Sequence, residues 1–235
     1  MDLPSLDDIW QETLGLNDFD AGCLEAATTR NQRAAYGLTL VAHPLDGPGS
    51  GPPRLLEAIA ELRLAWEQAL PCSFFPEEIL HFTIYSLRRS RLEPFFSLEL
   101  EELWARLVSE LQRILEATPP FTVSLRGLAV AADGAILIGV DDNPVLRHLR
   151  QTMEAVPGVS PPRSYPPHVT IGQILTPCGS AERFRQTMGY LRAWQDVPVG
   201  ELDMSALKLI YYSSRLLATV EREVEFTLGK VSIFR

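Results

Sequence analysis

A chain of 235 residues with 30 acidic and 21 basic side chains carries a formal charge of −9, which argues against a protein built to grip long nucleic-acid tracts through a basic footprint. Hydrophobic residues at 46% and charged residues at 22% describe an ordinary globular chain with enough apolar surface for a core, and no run approaches the ~20 apolar residues of a membrane span. Cys23, Cys72 and Cys178 are odd in number, far apart and without metal-ligand spacing, and Met1-Asp2-Leu3-Pro4 lacks a signal-peptide pattern, so a soluble cytoplasmic protein with reduced thiols is expected.

Residues 1–35 read as a helical N-terminal extension: Ser5 caps a short helix with Asp8 three residues on, and Asp20 opens a second through Cys23, Leu24 and Ala27. Tyr36 to His43 reads as a strand. Leu45 to Pro53 holds glycines between a strand and a helix, but three prolines remove amide donors and no Gly-Lys-Ser/Thr follows, so it is a plain loop rather than a phosphate cradle. Leu55, Ile59, Leu62, Trp66 and Leu70 then recur at helical spacing. A strand over Leu80 to Leu87 follows, then a helix from Ser97 with Leu100, Leu103, Trp104, Leu107, Leu111 and Ile114 on one face.

Phe121 to Leu128 alternates as a strand, and Asp133-Gly134 between apolar runs signals a hairpin turn. Asn143-Pro144 supplies a cap and a first-turn proline for a helix carrying Val145, Leu149 and Met153. After the proline-rich approach Ser160 to Pro167, His168 to Leu175 is a strand. Ser180 opens a helix with Phe184, Met188 and Leu191, and strands near Ala206–Ser213, Leu216–Leu228 and Val231–Phe234 close the chain.

Within this pattern one phrase is written twice: His81-Phe82-Thr83-Ile84 and His168-Val169-Thr170-Ile171. The chain has four histidines, and by composition the double match has a chance on the order of one in a thousand. Alternate strand residues share a face, so His81, Thr83 and Tyr85 are expected on one side with Phe82 and Ile84 on the other, in a helix-covered core. His168, Thr170 and Gly172 are expected likewise, with Val169 and Ile171 behind. Two such strands facing one cleft would set two imidazoles beside two hydroxyls. A neutral imidazole accepts a proton from water or a ribose hydroxyl while a protonated one gives a proton to the leaving oxygen; the hydroxyls donate to non-bridging phosphate oxygens. That scheme calls for no metal and no cofactor. His43, before Pro44 at a strand end, and His148, on an amphipathic helix, read as structural.

The paired phrases, their separation and the strand-helix order resemble the 2H phosphoesterase superfamily, which includes 2′-5′ RNA ligase-like (LigT-like) proteins and RNA 2′,3′-cyclic phosphodiesterases. The resemblance covers about residues 36–235 and leaves the extension outside. It implies an α+β, bilobal, duplicated fold with two antiparallel sheets lining a central groove. It also implies metal-independent hydrolysis of a 2′,3′-cyclic phosphate at an RNA end or on a small nucleotide, with His81 and His168 as the acid–base pair and Thr83 and Thr170 as phosphate binders. A 2′-5′ RNA ligase or 2′-5′ phosphodiesterase activity, and a non-catalytic nucleotide- or RNA-binding module, are the alternatives; two intact histidines count against the last.

Further residues are candidates for holding substrate. Tyr85 would stack on a base or bond phosphate, with Gly172 opposite leaving room, and Tyr165, Arg163 and Arg88 would reach the groove mouth. Arg222 stands among Val220, Val224, Phe226 and Leu228 on an apolar strand face, where it either snorkels at the sheet edge or projects toward a phosphate. The acidic balance favours a small cyclic nucleotide or short RNA end as partner. Residues 1–35 have no place in the core pattern and would serve to bind a partner or to dimerise.

Overall fold

The computed structural model describes residues 34–42, positions within 56–64, 72–131 apart from 92, 96 and (for side chains) several neighbours, 135–140, 143–160, 167–174, the positions 182 and 189, 192–196, and 198–229 apart from 215, 216 and 218. Its strands are β1 (Ala34–Ala42), β2 (Cys72–Phe74), β3 (Phe82–Arg91), β4 (Phe121–Val130), β5 (Ala135–Val140), β6 (His168–Ile174), β7 (Pro198–Met204), β8 (Ala206–Ser214) and β9 (Val220–Thr227). Its helices with defined bounds are α1 (Ser97–Ala117) and α2 (Pro144–Glu154). Residues 1–33 of the expected extension, the loop at 45–53, the strand expected at 231–234 and His43 lie outside the described residues, while Ala34 and Ala35, expected in the extension, begin β1; the helices expected from Leu55 and Ser180 are helical where described.

The strands form one sheet in the order β7-β4-β5-β6-β3-β1-β8-β9, with β2 also on β6 and every pairing antiparallel. The resemblance implies two sheets. Here the two four-strand halves are continuous because β3 and β6 meet at their starts, through two residue pairs, Phe82↔Val169 and Thr83↔His168. Each half holds one motif strand at the join, and the two motif strands are thereby neighbours.

Helix α1 forms because Leu103, Leu107, Leu111, Ile114 and Leu115 recur on one face, and all five are buried. Each such side chain contributes roughly 1.5–3 kcal/mol of burial. The helix stops where Thr118 Oγ1 donates to the Ile114 carbonyl at 2.9 Å and Pro119-Pro120 cannot continue the ladder. Helix α2 starts as expected at Asn143, whose Oδ1 accepts from the amides of Val145 and Leu146 at 2.9 and 3.0 Å. Its Nδ2 also donates to the Thr122 carbonyl at 2.7 Å. Replacing Asn143 by alanine is expected to cost about 1 kcal/mol, read as a fall in melting temperature of about 2–4 °C.

The described helices pack on one face of the sheet, where Leu38, Leu40, Phe82, Tyr85, Val169 and Leu209 join Leu107, Leu149 and Ile59 in the main core. The opposite face carries a smaller cluster of Val41, Ile210 and Tyr212 with Leu217 against it. No described helix is long and apolar enough to cross a membrane.

Candidate active site

The two motifs are equivalent to a degree that the sequence alone does not reveal. Along β3, Leu40 faces Tyr85 and Val41 faces Thr83, so Ile84 is an extra residue, a β-bulge. Along β6, Ile136 faces Gly172 and Leu137 faces Thr170, so Ile171 is an extra residue in the same way. The fourth residue of each phrase is therefore the bulge. Phe82, Ile84, Val169 and Ile171 are all buried, at 1% exposure or less, as expected for residues backed by the core.

Cross-strand partners share a face, so Thr83 and His168 stand side by side with Cβ atoms about 5 Å apart. The pairing ends at Phe82↔Val169, and His81 and Thr170 are the next residues along the two chains. His81 comes just before β3, after a short 3-10 turn at Glu77–Ile79. That turn is where the chain leaves β6: between Phe74↔Gly172 and Phe82↔Val169 it spends eight residues against three. The Nδ1 of His81 lies 2.9 Å from the Ile79 carbonyl. In the neutral ring that bond places the proton on Nδ1 and makes Nε2 the acceptor nitrogen. His81, Thr83, His168 and Thr170 are all half-buried, neither sealed in the core nor fully solvated.

The bulges correct the expected alternation. Leu40 and Val41 are successive residues on opposite faces, so their partners Tyr85 and Thr83 are on opposite faces too. Tyr85 is 1% exposed in the main core, not beside Thr83. Its hydroxyl donates to the Ser160 carbonyl at 3.4 Å. Burial, with Glu154 adding and Arg150 opposing, pushes its pKa up to about 12, so it stays a donor. Gly172 likewise leaves the face of Thr170. The room it makes is filled by β2: a Cβ there would meet the Ser73 carbonyl oxygen at 2.8 Å and the Phe74 Cα at 3.1 Å.

Two arginines are also placed away from the motifs. A second bulge, at Leu87, pairs Arg88 with the core residue Leu38, on the helix-packed face. Arg222 pairs with Tyr211 on that same face, and β9 is three strands from β3, about 14 Å away at the usual strand spacing. Its guanidinium takes both oxygens of Glu101 at 2.6 and 3.1 Å and lies 5.3 Å from the Trp104 ring centre. That bidentate bond holds the Glu101 carboxyl below its ordinary range. Arg222 thus ties β9 to α1, and Arg222→Met is expected to leave turnover unchanged while slightly lowering the melting temperature. Arg163 and Tyr165 lie outside the described residues.

Lys208 is a residue that sequence reasoning missed. It pairs with Val41, itself the partner of Thr83, so it lies two strands from Thr83 on the motif face, with Glu225 at 4.0 Å. The signal available was its place between Leu207 and Leu209 on an otherwise apolar strand. His148 is exposed on α2 and borders a cleft with Ile114, Pro119 and Val145 that no motif residue lines.

The chain belongs to the 2′-5′ RNA ligase superfamily, whose family model matches residues 51–215 and so spans both motifs. No curated protein matches the chain in sequence. Solved structures share the fold. A protein of Thermus thermophilus is 17% identical with a TM-score of 0.50, over 82% of this chain and 98% of its own. Escherichia coli LigT complexed with NADP+ is 19% identical with a TM-score of 0.50, over 83% and 98%. A conserved protein of unknown function from Agrobacterium tumefaciens is 16% identical with a TM-score of 0.51, over 83% and 86%.

Proposed function

We propose that this chain is a metal-independent phosphodiesterase that opens a 2′,3′-cyclic phosphate on a small nucleotide or at a short RNA end. The observation that carries this reading is the side-by-side placement of Thr83 and His168 in two motifs that match down to their bulges. One imidazole takes a proton from the attacking water as the new P–O bond forms. The other gives its proton to the ribose oxygen as the old P–O bond breaks, leaving a phosphomonoester and a free hydroxyl. Thr83 and Thr170 donate to the non-bridging oxygens, whose charge grows in the transition state. The Ile79 carbonyl keeps the His81 ring oriented through either half of that exchange.

The two halves of the sheet, joined by two residue pairs, are read as the two sheets of a groove with the four motif side chains at its floor. The bilobal unit takes in β1 from Ala34 onward, and the residues before it are read as an added segment for a partner or a second copy. Arg163 and Tyr165 belong to the groove mouth. The described residues on either side of them in sequence are both held against β3: the Ser160 amide donates to the Leu87 carbonyl at 2.8 Å and His168 pairs with Thr83. The LigT fold relative that holds NADP+ supports a nucleotide as ligand, and Lys208 would offset phosphate charge on the motif face.

The test is a panel of 2′,3′-cyclic mononucleotides and cyclic-phosphate-ended oligonucleotides in EDTA, with products identified by phosphorus NMR. Accumulation of a ribose phosphomonoester supports hydrolysis and shows which ribose oxygen keeps the phosphate. The family description favours one added arm, an oligonucleotide with a free 5′-hydroxyl. A 2′-5′ linked product there would assign ligation, the same chemistry with a ribose hydroxyl in place of water.

A further inference from the structure

Each motif bulge leaves a carbonyl that must find a donor. At Ile171 the donor is main chain: the Phe75 amide reaches its carbonyl at 3.0 Å. Phe75 is held in turn by Arg63, whose Nη2 donates to its carbonyl at 2.5 Å. At Ile84 the donor is a side chain from a helix 66 residues along the chain, Arg150, with Nη1 at 2.8 Å.

Arg150 is an expensive choice for that task. It is 7% exposed and sits on the apolar face of α2 with Leu146, Leu149 and Met153. A guanidinium there loses its hydration, and an apolar side chain of similar volume would serve packing as well or better. Burial accordingly lowers its pKa, with Tyr85 and Glu154 opposing. The Tyr85 ring lies 5.7 Å from the guanidinium carbon and offers its π-face. Tyr85 then reaches the Ser160 carbonyl, and the Ser160 amide returns to Leu87 on β3. Ser160 precedes His168 by eight residues in sequence. One buried group therefore touches the strand of the first motif and, through Tyr85, the approach to the second.

We infer that Arg150 is a positioning residue for the first motif: by holding the Ile84 carbonyl it fixes the bulge that sets Thr83 beside His168, the part played at the second motif by the Phe75 amide. This rests on the two-histidine reading of the site, since positioning matters only if Thr83 and His168 act together. A misplacement of a phosphate donor by a fraction of an ångström is felt in kcat more than in KM, because the contact strengthens as charge builds on the phosphoryl oxygens.

The test compares the full-length parent with Arg150→Met, Arg150→Lys and Tyr85→Phe by kcat and KM on the best cyclic-phosphate substrate, by thermal melting, and by backbone amide NMR shifts. Methionine keeps the volume and removes the donor; lysine keeps one donor and the charge. Arg150→Met is expected to stay folded, to lose roughly ten- to a hundred-fold in kcat with KM little changed, and to shift the amides of Thr83 and His168. Arg150→Lys is expected to recover part of the rate. A melting change with kcat unaltered, or amide shifts confined to α2, would overturn the inference. Should Arg150→Met not fold, the lysine and phenylalanine variants decide it by the same readings. A parent without turnover would remove the functional reading, yet the amide shifts of Thr83 and His168 would still support or sink the positioning claim.

Discussion

His81→Ala and His168→Ala are each expected to lower turnover about 10²- to 10⁴-fold while leaving the melting temperature close to the parent's. The rate loss follows from the scheme: with one imidazole gone, either the attacking water keeps its proton or the leaving oxygen departs without one. The near-constant stability follows from place. Both histidines are half-buried, and the residues that follow them, Phe82 and Val169, are fully buried and paired. The double variant should lose scarcely more than either single one, because the pair acts as one unit. Thr83→Val and Thr170→Val belong in the same series, with smaller losses, since each removes one donor and neither removes the proton transfers. Losses that multiply in the double variant, or one histidine without effect, would show that the two do not share a reaction.

Gly172→Val should do the reverse, damaging the fold first and the rate through it. The added carbons would run into backbone, the Ser73 carbonyl and the Phe74 Cα, and backbone in a paired strand cannot rotate aside as a side chain does. Overpacking of this kind costs about 1–3 kcal/mol, read as a fall in melting temperature of about 2–4 °C for each kcal/mol. The strain is relieved most simply by lifting β2 from β6. That takes the Phe75 amide off the Ile171 carbonyl and loosens the bulge beside Thr170, so turnover should fall as well. Gly189→Ala is the control: a Cβ there meets nothing within 4 Å, and at a helical position alanine is expected to be neutral or stabilising. Equal melting temperatures for Gly172→Val and the parent would mean that β2 does not pack as described.

What could be read from residues alone was periodic or chemical. The apolar spacing of α1, the Asn143 cap of α2 and the burial of Phe82, Ile84, Val169 and Ile171 all follow from patterns that a strand or helix must satisfy. The doubled phrase located the four motif side chains. What failed was a strict two-residue period carried through Tyr85 and Gly172, because a bulge adds one residue and turns everything after it to the other face. Nothing in the letters Thr-Ile-Tyr or Thr-Ile-Gly announces that bulge. The three-residue β2, flanked by prolines, and β7, interrupted by Gly200, are too short or too broken to show alternation. Arg222 was flagged for its apolar face, and the structure supplies its partner, Glu101, from a helix 121 residues earlier. Arg150 did leave a trace: it falls four residues after Leu146 and three before Met153, a charged residue at a core position of the helix.

The most direct test of a shared two-histidine centre is the pH dependence of kcat/KM on a 2′,3′-cyclic phosphate in EDTA, for the parent and each single histidine variant. The account predicts a bell for the parent, with each limb set by one imidazole, and in each variant a residual rate that has lost a limb. A parent rate abolished by EDTA, or a profile without a bell that neither variant changes, would contradict it.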